Sequence, residues 1–69
     1  MMIKLKEVQK MTSLSRSSIY AYIDKGIFPA QVKVGERSVA WNYDEITNWL
    51  KGRILARDVA NAEKFSSLN

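Results

Sequence analysis

The chain has no cysteine and no histidine, and only one proline and three glycines among its 69 residues. Without cysteine it has no disulfide brace, no thiolate nucleophile and no cysteine-ligated zinc. Without histidine it has no imidazole to act as a general base. A chain this short hides only about 60% of its unfolded surface when it folds. Small folds usually lean on a disulfide, a metal or unusually good helix packing, and here packing is what remains. No apolar run approaches the roughly 18 residues of a membrane span. Residues Met1 to Lys10 alternate charged with apolar side chains, so no signal peptide is expected either. There is no internal repeat, linker or low-complexity stretch. A hydrophobic content of 46% is ordinary for a globular domain and argues against wholesale disorder. The lack of cysteine agrees with a reducing cytoplasm.

Negative charge is scarce as well. Eleven Lys and Arg stand against seven Asp and Glu, a formal net charge of +4. The excess is uneven. Residues 1–41 hold Lys4, Lys6, Lys10, Arg16, Lys25, Lys33 and Arg37 against Glu7, Asp24 and Glu36, while residues 42–69 are balanced. A basic first three-fifths asks for an anionic partner, of which nucleic acid is the commonest.

The apolar pattern divides the chain into short elements. Leu5, Val8 and Met11 recur every third residue and predict a helix from about Lys4 to Thr12. Thr12-Ser13-Leu14-Ser15 breaks the period, and Ser15 is a good N-cap for a second helix over Arg16 to Lys25. Ile19, Tyr22 and Ile23 fall on its inner face. Lys25 suits the negative end of the dipole, and Gly26 suits a left-handed C′ position. Pro29 ends any helical continuation. From Gln31 the period becomes two: Val32 and Val34 about Lys33, a turn at Gly35-Glu36-Arg37, then Val39 and Trp41 about Ala40. This predicts a β-hairpin, with those apolar residues and Trp41 as wall and core. Asn42 and Glu45 have the spacing of a capping box. Ile46, Trp49, Leu50 and Ile54 then form an amphipathic stripe on a third helix. Beyond Ala56 the pattern thins to Val59, Ala62 and Phe65, and Ser66 to Asn69 reads as a frayed end.

Two short helices joined by a tight turn, the second serine-capped and basic at its start, match the helix-turn-helix plan. In that plan the second helix enters the major groove of DNA, N-terminal residues first. Arg16 can bind guanine O6 and N7 together through its fork. Ser17 and Ser18 can donate to a phosphate or a base, and the free N–H groups of the helix start attract an anion. Tyr20 is either a contact or part of the core. Lys33, Arg37 and Ser38 make the hairpin a basic wing for phosphates or the neighbouring groove. They can equally be protective charges on an edge hairpin.

Taken together, Leu5-Lys6-Glu7-Val8, Thr12 through Tyr20, Gly26-Ile27-Phe28-Pro29, Val32 through Trp41, Glu45-Ile46 and Trp49-Leu50 resemble the AlpA family. These are small DNA-binding regulators of phages and genomic islands, similar to phage excisionases and to the winged-helix domain of MerR-type regulators. The resemblance covers residues 3–53 in order and without gaps. It implies an α+β, mostly α fold: a small winged helix-turn-helix of three helices, with a two-stranded β-hairpin wing between helices 2 and 3. It also implies recognition-helix contacts at Arg16, Ser17, Ser18 and Tyr20, beside the Ser15 cap, and wing contacts at Lys33, Arg37 and Ser38. Family members commonly have Gly at Ser13, Thr at Ser18, and a basic residue at both Ala21 and Asn42. The last two differences imply fewer phosphate contacts here.

The expectations are therefore these. Residues 1–56 form the DNA-binding domain, and residues 57–69 a helical extension or frayed tail. The partner is double-stranded DNA, with adjacent copies or a dimer because one small module reads only a few base pairs. No cofactor, metal, small-molecule ligand or membrane is expected, and the site is the bacterial cytoplasm on the nucleoid. The output is transcriptional regulation, excision directionality, or both. The competing function is a protein-interaction module such as an anti-repressor. Catalysis is not expected, since the adjacent carboxylates Asp44 and Glu45 are explained as first-turn helix charges.

Overall fold

The first helix starts where Lys4, still extended at φ −86° and ψ 168°, hands over to Leu5. In the computed structural model, which describes residues 1–67 and their side chains through Glu63, the elements run in the order β1 (Met2–Ile3), α1 (Leu5–Thr12), α2 (Arg16–Asp24), β2 (Val32–Lys33), β3 (Val39–Asn42) and α3 (Tyr43–Ser67). The expected triad on α1 is in place: Val8 is buried, and Leu5 and Met11 pack half-buried beside it. The helix stops at Ser13, which adopts a left-handed φ of 60° while its N–H bonds the Gln9 carbonyl at 2.8 Å. Such a conformation is costly for any residue with a Cβ. Thr12 steadies the turn, its hydroxyl donating to the Val8 carbonyl at 2.8 Å and accepting the Leu14 N–H at 3.3 Å.

Local chemistry also delimits α2. The Ser15 hydroxyl accepts the Ser18 N–H at 3.1 Å, the N-cap bond its position predicts. At the other end Gly26 turns left-handed at φ 76°. Its N–H bonds the Ile23 carbonyl at 3.0 Å and the Ile27 N–H bonds the Tyr22 carbonyl at 3.0 Å. These paired bonds are a Schellman cap, which needs a residue tolerant of positive φ.

The hairpin is present, and its three-residue loop Gly35-Glu36-Arg37 is closed by the Val34 N–H on the Ser38 carbonyl at 2.9 Å. Its sheet has a third strand that the sequence does not announce. The order is β1-β3-β2, all antiparallel, with Met2 opposite Asn42, Ile3 opposite Trp41, Val32 opposite Ala40 and Lys33 opposite Val39. The first residues of the chain thus flank the second arm of the wing.

Two expectations about burial need correction. Val32 and Val34 are 44% and 50% exposed, not wall or core: β2 is an edge strand, and both its residues are exposed. The core side of the wing comes from β3, where Val39 is half-buried and Ala40 and Trp41 are buried. Ile54 is likewise 51% exposed. The stripe on α3 meets the core only as far as Leu50.

The core takes one buried residue from β1, each helix, the link before the wing and β3: Ile3, Val8, Ile19, Ile46, Phe28 and Trp41. Asn42 ends β3 and caps α3 at once, its Oδ1 accepting the N–H groups of Asp44 at 2.9 Å and Glu45 at 3.2 Å. The helix continues past Ala56 to Ser67. Of the expected frayed end, Leu68 and Asn69 lie outside the described residues, as does the side chain of Phe65. Among the described residues no helix is long and apolar enough to cross a membrane.

Candidate nucleic-acid interface

The start of α2 is open to solvent. Ser15, Arg16 and Ser17 are exposed, as are Ala21 and Asp24 further along. Ser18 is half-buried, and its hydroxyl accepts a hydrogen bond from the Ser15 hydroxyl at 3.0 Å. The cap bond uses the Ser18 N–H. The N–H groups of Arg16 and Ser17 have no acceptor within a helix, so they remain for an outside anion.

Tyr20 is part of the edge of the core. It is half-buried, with the edge of its ring toward Trp41, centroids 6.1 Å apart and planes at 66°. The Arg16 guanidinium lies over the ring, 5.8 Å from its centroid. An exposed cation over an aromatic face is worth about 0.5–1 kcal/mol. The ring therefore rests on the core and holds Arg16 in place, one turn along the helix.

The register of the sheet connects this helix to the wing. Residues paired across antiparallel strands share a face, and alternate residues along a strand do too. Lys33 is opposite Val39, so it shares the face of Val39 and Trp41, the face against which Tyr20 packs. Trp41 is thus shared ground: Tyr20 packs against it from α2, and Lys33 lies on the same face of the sheet. Arg37 and Ser38 are exposed at the loop and its closing residue, beside the opposite charge of Glu36. Among the described residues the one ion pair is Arg57 with its exposed neighbour Asp58, at 2.9 Å. Neither Arg16, Lys33 nor Arg37 has a carboxylate partner there.

What holds the wing to the helices escaped sequence reasoning. The Trp41 indole N–H donates to the Pro29 carbonyl at 3.1 Å, and the Trp49 indole N–H to the Ile27 carbonyl at 2.7 Å. Between them Phe28 is buried, edge-on to Trp49 with centroids 4.8 Å apart. The link between α2 and the wing is pinned at both carbonyls, so α2 and the wing keep a set spacing. The two tryptophans and Pro29 were visible in the sequence as core and breaker, but partners 12 and 22 residues apart leave no local signal. A further cavity of about 370 Å³ is lined by Leu14, Tyr22, Ile27, Trp49 and Arg53. At roughly 100° per residue, Tyr22 lies about 170° around α2 from the centre of its exposed polar side, so this cavity is on the opposite flank.

Comparison with known proteins identifies the chain's family. The family model for "Prophage CP4-57 regulatory protein (AlpA)" matches residues 1–54. An uncharacterized protein, ORF88 of Enterobacteria phage P4, is 47% identical over 55 residues, which is 80% of this chain and 62% of that protein. The chain thus spans less than two thirds of that relative's length.

Proposed function

For a chain that belongs to the AlpA family of prophage regulatory proteins, we propose a sequence-specific DNA-binding regulator of prophage or genomic-island genes. The observation that carries this reading is the exposed start of α2, where Arg16 is steadied on Tyr20 and, like the exposed Lys33 and Arg37, has no acidic partner among the described residues. In this reading α2 enters the major groove. Arg16 reads a guanine edge, Ser17 and Tyr20 contact the adjoining base or backbone, and the Ser15 and Ser18 hydroxyls lie along the phosphates. Lys33, Arg37 and Ser38 of the wing meet the neighbouring phosphates or minor groove. Residues 1–56 are the binding unit, and residues 57–69 lie outside it. The protein acts on the bacterial nucleoid, and its output is control of transcription, excision directionality, or both.

A module of this size buries about 600–1,000 Å² on DNA. Useful specificity therefore comes from several copies on adjacent sites or from a dimer. The test is binding to the DNA upstream of the protein's own gene at a series of salt concentrations. Each phosphate contact contributes about 0.9 to the log–log salt slope. Lys33→Ala should lower that slope by about 1. Arg16→Ala should cost about 1–3 kcal/mol and relax one base position. A flat salt response would overturn the reading and leave a protein partner, such as another regulator, as the target.

A further inference from the structure

Every residue of α3 from Lys51 to Glu63 is exposed, yet its small and apolar residues are ordered. Gly52, Leu55, Val59 and Ala62 follow one another at spacings of three, four and three, which is the seam of a two-helix pair. Leu55 is 64% exposed and Val59 51%. At roughly 100° per residue, the four positions lie about 160° to 240° around the helix from Ile46, which faces the core. The seam points away from the protein's own core, so a straight α3 cannot cover it from within. It also lies almost wholly beyond residue 54, where the family match ends.

We propose that this half of α3 pairs antiparallel with the same segment of a second copy, making a weak dimer. The seam is its own complement in that register. Gly52 meets Ala62 of the other copy, Leu55 meets Val59, Val59 meets Leu55 and Ala62 meets Gly52. The small residues at both ends let the helices approach, and two Leu–Val layers fill the middle. No residue lies within 4 Å of the missing Gly52 side chain, so space on that side is open. A parallel pair would set Asp58 beside Glu63 of the other chain twice, a like-charge clash at both flanks. The antiparallel pair brings the two Asp58 carboxylates near each other once, and each is already bonded to its own Arg57 at 2.9 Å. Four layers bury far less than the about 800 Å² per partner of a standard stable interface. The pairing is therefore concentration-dependent, and it gains most when two heads already share one duplex. The proposal deepens the self-association in the function above, but the contact itself needs no DNA.

The absence of cysteine makes the test clean. Full-length Leu55→Cys and Val59→Cys chains, mixed and oxidised without DNA, should give mainly the mixed disulfide, about tenfold faster than either chain alone dimerises. Sedimentation equilibrium up to about 1 mM should show the wild-type mass rising from 7.9 kDa toward twice that value. A Leu55→Glu, Val59→Glu double variant should stay at 7.9 kDa. Three results would each overturn the proposal. One is a wild-type monomer throughout. Another is a double variant that associates like wild type through a different surface, such as the Trp49 cavity. The third is a disulfide formed mainly between two Leu55→Cys chains, since a parallel pair would align that position with itself. Neither measurement involves DNA. The salt slope of the double variant on duplex then tests DNA binding separately.

Discussion

From Tyr43 to Leu50, α3 sends Ile46 into the core and rests the half-buried Trp49 on the link before the wing. From Lys51 to Glu63 every side chain of the same helix is exposed. The contrast separates two sources of helical structure. The first half is nucleated by the Asn42 cap and held by packing. The second half propagates from that nucleus, at small cost per added residue. A long helix therefore need not mean a long core, and apolar residues can sit on a regular helix with no partner in their own chain.

Three substitutions would break or sharpen this contrast. The largest effect belongs to the head. Trp41→Ala removes a buried ring from the central strand and leaves the Pro29 carbonyl without its donor. A loss of about 3–5 kcal/mol is expected, against a total of about 0.05–0.15 kcal/mol per residue. Urea denaturation followed by Trp49 fluorescence should find most molecules unfolded or close to it. A loss under about 1 kcal/mol would show that the indole does not centre the fold.

Gly52→Pro should act on the other side of the boundary. A proline inside a helix costs about 3 kcal/mol by removing a hydrogen bond and clashing with the preceding turn. Here the helix can stop near Lys51 instead. The expected result is a reduced far-UV helical signal, with the head's stability to urea changed by less than about 1 kcal/mol. If the head unfolds alongside, the two regions are one cooperative unit. The smallest effect should come from Leu55→Ser, measured at low concentration. An exposed position outside the core should change monomer stability by no more than about 0.5 kcal/mol. A larger loss would mean that the distal helix packs on its own head.

The fold was legible wherever its cause was local. The triad on α1, the Ser15 and Asn42 caps and the Gly26 stop each depend on residues within a turn or two of one another. The wing was legible as an alternation and a turn. Its exposure was not, because a period of two says that a strand has two faces but not that either is covered. Val32 and Val34 carry the same signal as Val39 and Trp41 and meet a different fate. Strand β1 has two residues, too few to show any period. At the interface, Arg16 stood out by its place at a serine-capped helix start. Its support on Tyr20 is a neighbour one turn away on α2, but Tyr20's own support on Trp41 joins residues on different elements.

Chemistry between near neighbours along the backbone was enough to mark out the helices, the turn, the wing and the basic character of the first 41 residues. It took the folded arrangement to decide which apolar residues are covered and what pins the wing to α2. The same arrangement sets Lys33 opposite Val39 and leaves Leu55 and Val59 bare. Caps and periodicity act within a turn or two of chain. Burial depends on which distant segments arrive on the same face, and a lone strand or helix carries no record of that.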